Sequence, residues 1–504
     1  MKKAILNSFF FFISILFITS NSFSQEINST HKKDILALIK SFSNEDPFAE
    51  GEAITEIVKY GDQAVDYLTK SLSDENENVR WCSAIALEKI APEDVRAIPF
   101  LTEALKDKYS NVRWCSAIAL GKFNLNAKSA VLELINLLYD DDRDVRWTAY
   151  ISLNKIDKKA INNVPGFAKV IGRLENLTPQ LMKELKVPGV SISVINNNKL
   201  EWSKSFGVSD AIQKNNVTNK TIFEACSMSK PVFAYLVLKL VEQSRLDLDK
   251  PLSNYLKEEF ISSEDNYSNH ITARMILSHT SGLPNWRKGE EERGGPLPVY
   301  FKPGTKFNYS GEGFYYLQRV VEHIIQEPIE TYSKRNLFDK LGFESTSFVW
   351  TEQLSPQIST GHDSSGNCLR KSKYTHANSA YTLYTTPDEY AKFIIEIMKP
   401  NKPEDFSLSD RMIKEMLNHQ VRVDVRDVID RPGRSLGLFS FRGLGWGIDS
   451  TITGNIVYHS GANQTGFRCY SQFNVQEGSG IVIMTNGING SELWSRLISV
   501  VGDL

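Results

Sequence analysis

The chain has 504 residues, 41% of them hydrophobic and 23% charged, with a formal net charge of −2. It is long enough for more than one domain and globular in balance, and it lacks the basic surplus that would point to nucleic acid or an anionic membrane as partner. None of the eight histidines falls in a His-x-His or His-Glu-x-x-His pair, and five cysteines at uneven spacing suggest no disulfide, so no metal or other cofactor is expected.

Lys2 and Lys3 precede an apolar run, Phe9 to Ile18, and a small-residue stretch ending at Ser24. This has the form of a secretory signal peptide over residues 1–24, too short to span a bilayer. No later stretch stays apolar for about 20 residues, so an exported protein, periplasmic or secreted and without a membrane span, is expected.

Residues 25–165 carry a repeat. Asn78-Val79-Arg80-Trp81-Cys82, Asn111-Val112-Arg113-Trp114-Cys115 and Asp144-Val145-Arg146-Trp147-Thr148 align at a period of 33, each followed by a small-residue, leucine-ended helix pattern. Leu68, Leu101 and Leu134 mark a preceding helix at the same period, and Ile35 and Ile54 belong to a degenerate first unit. Each unit is read as a helix pair that buries its apolar face only by stacking on its neighbours. The pattern resembles the HEAT-like repeats, although 33 residues is short for that class. Asp74, Asp107 and Asp140 are expected to pair with Arg80, Arg113 and Arg146, as charged ladders between stacked units do, or to cap the second helices. Trp81, Trp114 and Trp147 form a stripe away from the main seam, read either as packing between units or as a surface for a protein or glycan ligand, or for the second domain.

Residues 166–504 form that second domain. A helix over Gly166–Leu185 leads into alternating Val190, Ile192 and Val194, and Asn196-Asn197-Asn198 turns the chain back along Lys199 to Phe206. Strand patterns recur at Asn455–His459, Gly466–Asn474 and Gly480–Asn486, followed by a helix over Ser491–Val501. Ser227 and Lys230 lie three residues apart, on one face of a helix that Pro231 requires to begin near Ser227. A lysine there can accept the proton of an attacking serine, and the helix start favours a developing oxyanion. Alone the spacing is weak, since Ser29 to Lys32 and Ser152 to Lys155 share it.

Further on come Leu277-Ser278-His279-Thr280-Ser281-Gly282-Leu283-Pro284, then Phe307-Asn308-Tyr309-Ser310-Gly311, then Tyr458-His459-Ser460-Gly461. In that order, from about residue 166 to the end, the chain resembles the β-lactamase-related serine hydrolases: class C β-lactamases, penicillin-binding proteins, D-alanyl-D-alanine carboxypeptidases and esterases of the same fold. The resemblance implies an α/β β-lactamase/transpeptidase-like domain, an antiparallel sheet flanked by helices, behind an all-α repeat domain. It implies Ser227 as nucleophile, Lys230 as base, Tyr309 as proton relay, and His459 where many relatives have lysine. His279 is read as a support. Gly461 is expected to let substrate lie along the strand edge, and the Ala462 amide to form an oxyanion hole with that of Ser227.

Gly311 departs from the family's Tyr-x-Asn, whose asparagine holds a substrate amide. Its loss counts against peptide or β-lactam turnover and moves weight toward ester hydrolysis. Within the class an esterase or D-amino-acid peptide hydrolase is expected ahead of a true β-lactamase, acting on a small ester, peptide or cell-wall-derived substrate. No carboxylate is placed to activate a deacylating water. The contrasting reading is a non-catalytic, penicillin-binding-like sensor or scaffold whose repeats bind a partner.

Overall fold

A computed structural model describes residues 31–501 apart from 44–46, 91–93, 139, 141, 158, 161–166, 258–260, 263–265, 289–294, 400–405, 424–438 and 452–453. The expected signal peptide, residues 1–24, lies outside the described residues. The chain divides into two compact units, Met1–Pro165 and Gly166–Leu504.

The first unit is helical: a helix over residues 31–41, then α1 (Pro47–Val58), α2 (Asp62–Ser71), α3 (Glu77–Ile90), α4 (Ile98–Ala104), α5 (Ser110–Lys122), α6 (Val131–Leu137) and α7 (Arg143–Ile156). Leu68, Leu101 and Leu134 from the first helices and Leu87, Leu120 and Leu153 from the second are all fully buried. Each contributes about 1.5–3 kcal/mol of apolar burial, so the 33-residue period is the period of the core. Small residues set how closely the second helices approach: a Cβ on Gly121 of α5 would meet Ser152 Oγ of α7 at 2.6 Å. Ser152 Oγ itself donates to the Ala117 carbonyl across that contact at 2.6 Å, which gives its Ser-x-x-Lys spacing a packing role. Cys82 and Cys115 are buried free thiols; burial pushes the Cys82 thiol up to about 12.

The aspartate–arginine pairs join successive repeats. Arg80 grips Asp107 of the following repeat through Nε at 2.6 Å and Nη2 at 3.1 Å, and Arg113 grips Asp140 at 2.7 Å through both. Within their own repeats these arginines instead donate Nη1 to main-chain carbonyls, Arg80 to Asp74 and Glu75 and Arg113 to Asp107 and Lys108. The physical reason is that each carboxylate already accepts the amide two residues on, Asn76, Tyr109 or Asp142. That bond holds it at the turn ahead of the second helix, where the guanidinium of the preceding unit arrives. Trp81 and Trp114 are partly buried against the unit's own core, and Trp81 Nε1 donates to Asn78 Oδ1 at 3.1 Å. The Trp147 side chain lies outside the described residues.

The second unit is built on an antiparallel nine-stranded sheet. Its N-terminal part comprises the helix α8 (Phe167–Leu185) and strands β1 (Gly189–Asn196), β2 (Lys199–Asp210), β3 (Asn215–Asn216) and β4 (Phe223–Glu224). The central helix α9 (Ser229–Glu242) and α10 (Gly311–Ile325) follow, then β5 (Tyr384–Thr385) and α11 (Pro387–Met398). The chain returns to the sheet as β6 (Val421–Val423), β7 (Phe439–Arg442), β8 (Gly447–Thr451), β9 (Gly454–Ala462), β10 (Arg468–Asn474) and β11 (Ser479–Thr485), and ends in α12 (Gly490–Val501). The strand order β3-β2-β1-β11-β10-β9-β8-β7-β6 places the first hairpin beside the last strand, with Ile192 opposite Ile483.

Both asparagines at the tip of the first hairpin, Asn197 and Asn198, have positive φ, as a tight two-residue turn requires. Strand β11 is buried on both faces: Ile481 and Ile483 pack with α8 and α12, while Val482 and Met484 face the cluster around α9. Strands β6, β7 and β8 were not anticipated. They are short, and β7 and β8 carry a buried polar pair, Ser440 Oγ donating to Asp449 at 2.7 Å, that breaks the apolar alternation.

Asp140→Ala leaves the Arg113 guanidinium, whose side chain is only 15% exposed, without its carboxylate. We expect a loss of about 2–3 kcal/mol, read by calorimetry of the full chain as a lowered transition of the repeat unit. Unchanged unfolding would remove the ladder from any structural role.

Candidate active site

Strand β4 pairs with β5 and delivers the chain to Ala225 and Cys226, one 3-10 turn (Cys226–Met228), and then α9. The α-helix therefore begins two residues after Ser227, and Pro231 falls in its first turn, where a missing amide costs nothing. Ser229 Oγ builds the turn, donating to the Cys226 carbonyl at 2.6 Å and accepting the Leu383 amide at 3.0 Å. Cys226 has φ +54°, a left-handed conformation that costs a non-glycine residue on the order of 1 kcal/mol or more. It is held there by full burial and by its Sγ, which shares the Glu224 carbonyl with Cys469 Sγ at 3.2 and 3.3 Å.

Lys230 is completely buried. Its Nζ donates to Ser227 Oγ at 3.2 Å and to the Ala380 carbonyl at 2.8 Å, and lies 4.7 Å from the Tyr309 ring centre. Tyr309 comes just before Ser310, which caps α10 by accepting the Gly313 amide at 2.8 Å. Behind Tyr309, His279 stacks at 4.2 Å between ring centres. Its Nδ1 accepts the Ser310 amide at 3.0 Å, so a neutral ring carries its proton on Nε2.

His459 faces Tyr309 with ring centres 6.4 Å apart. Its Nδ1 donates to the Ser460 carbonyl at 2.6 Å, which leaves Nε2 as a buried acceptor with no partner. Burial, reinforced by the charges of Lys230 and Arg442, holds both histidines well below the usual imidazole range. Arg442, at the end of β7, lies over Phe307, Tyr309 and Tyr458 at 5.1–6.0 Å. Its Nε is buried and unpartnered.

The structure thus brings Ser227, Lys230, Tyr309 and His459 together, from three separate segments of the chain. The three residues expected to line the substrate fare differently. A Cβ on Gly461 would lie 2.3 Å from the Ala225 carbonyl oxygen and 3.2 Å from Ser227 N. Glycine is needed there so that β9 can press against the nucleophile turn, a backbone contact not anticipated from the sequence. Ala462 is exposed and lines a cleft of about 550 Å³ beside the serine, together with Trp286, Tyr374, Tyr381 and Asn463.

Gly311 is buried at the start of α10, its amide accepted by Asn285 Oδ1 at 3.0 Å. A Cβ there would meet the Trp286 ring at 2.6 Å, so an indole covers the place of the missing asparagine side chain. Glu312 pairs with Arg287 at 3.2 Å on the cleft rim. Sequence reasoning missed Arg442, Trp286 and Glu224. The Glu224 Oε2 accepts Asn463, Thr465 and Tyr374 at 2.7–3.1 Å and so ties the β9–β10 turn to the strand before Ser227. Burial pushes the Glu224 carboxyl up against the pull of those three donors. The Phe223-Glu224 step into the serine was the one available signal. Among the described residues, no cluster of His, Cys, Asp and Glu could hold a metal, and no helix is long and apolar enough to cross a membrane.

The histidines fix a pH dependence. Their folded pKa values are depressed, so their contribution to stability is complete above the unfolded value of about 6.5 and is lost as pH falls from there toward the folded values. Thermal unfolding of the full chain should drop in temperature between pH 7 and 5, with a shallower slope in His459→Gln; parallel slopes would show that His459 is not buried neutral. Gly461→Ala should displace the Ser227 turn and slow labelling of the serine by a fluorophosphonate at least about tenfold, since angstrom-scale misplacement of a reacting group costs that much or more. Labelling at the wild-type rate would show that the contact is dispensable.

Residues 174–496 match the Beta-lactamase family, and residues 35–121 and 98–164 match HEAT repeats. Protein flp of Staphylococcus aureus strain N315 is 23% identical over 313 residues, which is 60% of this chain and 60% of that protein's length. A Beta-lactamase of Pseudomonas fluorescens is 25% identical over 239 residues, covering 46% of this chain and 65% of that protein. In fold, the chain is similar to an octameric penicillin-binding protein homologue from Pyrococcus abyssi (TM-score 0.56, 22% identity, 65% of this chain and 76% of that one). It is also similar to the D-alanine carboxypeptidase AmpC from Burkholderia cenocepacia (TM-score 0.54, 18% identity, 66% and 99%). With a buried lysine on a serine at the head of the central helix, and a family match over most of its length, the chain belongs to the beta-lactamase family, with HEAT repeats on its N-terminal side.

Proposed function

We propose that this protein is an exported serine hydrolase that forms an acyl-enzyme on Ser227 and acts on an ester or on a D-amino-acid peptide. The observation that carries the reading is the contact of the buried Lys230 Nζ with Ser227 Oγ at 3.2 Å. In the first step Ser227 Oγ bonds to the substrate carbonyl carbon while its proton passes to Lys230. Tyr309, 4.7 Å from that amine at its ring centre, then hands its hydroxyl proton to the departing oxygen or nitrogen as the carbon–leaving-group bond breaks, and takes the serine's proton back from Lys230. The unpartnered Nε2 of His459 supplies an acceptor for the Tyr309 hydroxyl, and the neutral imidazole adds no charge beside Lys230. Water completes the cycle, releasing the acid and restoring the serine.

Arg442 adds a cation whose Nε has no partner, which suits a leaving group ending in a carboxylate. Trp286 over Gly311 removes the amide grip that Tyr-x-Asn relatives have, so β-lactam turnover is disfavoured relative to ester turnover. The carboxypeptidase fold relative supports the peptide branch of the reading. For the repeat unit we propose a protein or glycan ligand at the stripe that carries Trp81 and Trp114.

Ser227→Ala should abolish hydrolysis of p-nitrophenyl acetate and the acyl adduct seen by intact mass, with the fold retained. Lys230→Ala should cost at least about 10²-fold, as for loss of a general base. Turnover by Ser227→Ala within a few-fold of wild type would overturn the assignment. A stable adduct that never turns over would make the protein a binder rather than a hydrolase.

A further inference from the structure

We propose that the cleft beside Ser227 is a pocket for a flat apolar acyl group, an aryl-substituted acyl chain, and that Trp286 sets that preference; this rests on Ser227 being the acylated residue. Three observations place the cleft next to the nucleophile turn. Trp286 lies 6.0 Å from Lys230 Nζ at its ring centre, and that amine touches Ser227 Oγ. Tyr381 follows Ala380, whose carbonyl holds the same amine. Ala462 follows Gly461, which packs on the Ser227 turn. A group attached to Ser227 therefore starts within one side chain or one residue of Trp286, Tyr381 and Ala462.

The shape of the walls selects the group. Trp286 meets Tyr381 edge to face, with centres 5.4 Å apart and planes at 88°, and Tyr381 meets Tyr374 in the same way at 5.4 Å and 87°. Two successive right angles between rings make a corner with one indole face and one phenol face, into which a further ring can stack or stand edge-on. Trp286 is 39% exposed although it belongs to the cleft wall, so its ring has apolar surface left to cover. The cleft, at about 550 Å³, is of ordinary size for a small-molecule site and large enough for an aromatic ring.

Gly311 explains why the indole can lie there. With a Cβ at 311 the ring would be 2.6 Å from it and would have to leave. The same glycine that removes an amide-gripping side chain thus admits an aromatic floor. The exchange changes what is recognised: hydrogen bonding to an acyl amide gives way to contact with a ring.

The test compares p-nitrophenyl phenylacetate with p-nitrophenyl hexanoate, each corrected for its rate of alkaline hydrolysis. The two acyl groups are similar in apolar size and differ in flatness. The wild type should favour phenylacetate by about tenfold in kcat/KM, the scale of one good aromatic contact. Trp286→Ala and Trp286→Leu, the second keeping apolar bulk, should both bring the ratio close to one. A wild-type ratio near one, or a ratio unchanged in both variants, overturns the proposal.

A turnover-free arm separates the pocket from the serine mechanism. Calorimetric titration of Ser227→Ala with phenylacetate and with hexanoate should show the aromatic acid bound more tightly, and the difference should vanish when Trp286→Leu is added. If no ester is hydrolysed but this difference holds, the hydrolase reading fails and the pocket stands. If esters are hydrolysed through Ser227 with no aromatic preference in either arm, the pocket fails and the hydrolase reading stands.

Discussion

Position 461 can hold nothing larger than hydrogen, because the Ala225 carbonyl oxygen occupies the space 2.3 Å away where a Cβ would go. That exclusion joins the two parts of the second unit that must agree for Ser227 to be aimed: the last strands of the sheet and the turn at the head of the central helix. The rest of the turn relies on the same contact. Cys226 keeps its left-handed backbone because it is clamped between Gly461 and the Glu224 carbonyl. Glu224 in turn reaches over to hold Asn463 and Thr465, in the turn that follows Gly461. Strain at the nucleophile is kept in place by a closed ring of contacts, a frequent arrangement where a reactive group must be presented sharply.

A second constraint is electrostatic. Lys230 and Arg442 bring two basic side chains close to Tyr309, and the histidines between them are both held neutral by burial and by those charges. One neutral ring, His279, spends its acceptor on a backbone amide and so braces the tyrosine. The other, His459, spends its donor on a carbonyl and keeps its acceptor open. Two residues of one type thus take opposite tautomers because the backbone beside each offers the opposite partner.

The architecture and the four central side chains were legible because their signals are local or ordered: a 33-residue period, an alternating hairpin, a serine and lysine one helical turn apart, and motifs in a fixed succession. What escaped depends on contacts between segments distant in sequence. Arg442 lies on a strand of four residues whose neighbour carries a buried aspartate, so no alternation announces it. Trp286 is an unremarkable loop residue until α10 brings Gly311 beneath it. Which arginine each aspartate meets is likewise set by stacking, which brings residues 27 apart in the chain to hydrogen-bond distance. For Gly461 the sequence suggested a role beside substrate, and only the folded chain shows that the Ala225 carbonyl also comes against it.

The direction of that ladder bears on how the repeat array can change length. Each unit supplies one carboxylate to the arginine behind it and one arginine to the carboxylate ahead, as Asp107 and Arg113 do from a single repeat. Duplicating or excising a complete 33-residue unit inside the array therefore leaves every internal guanidinium with an acid to meet, whereas a cut between aspartate and arginine within a unit strands a charge. Growth and shrinkage by whole units is electrostatically neutral, which leaves the span of the array free to drift in evolution while its stacking rule stays fixed.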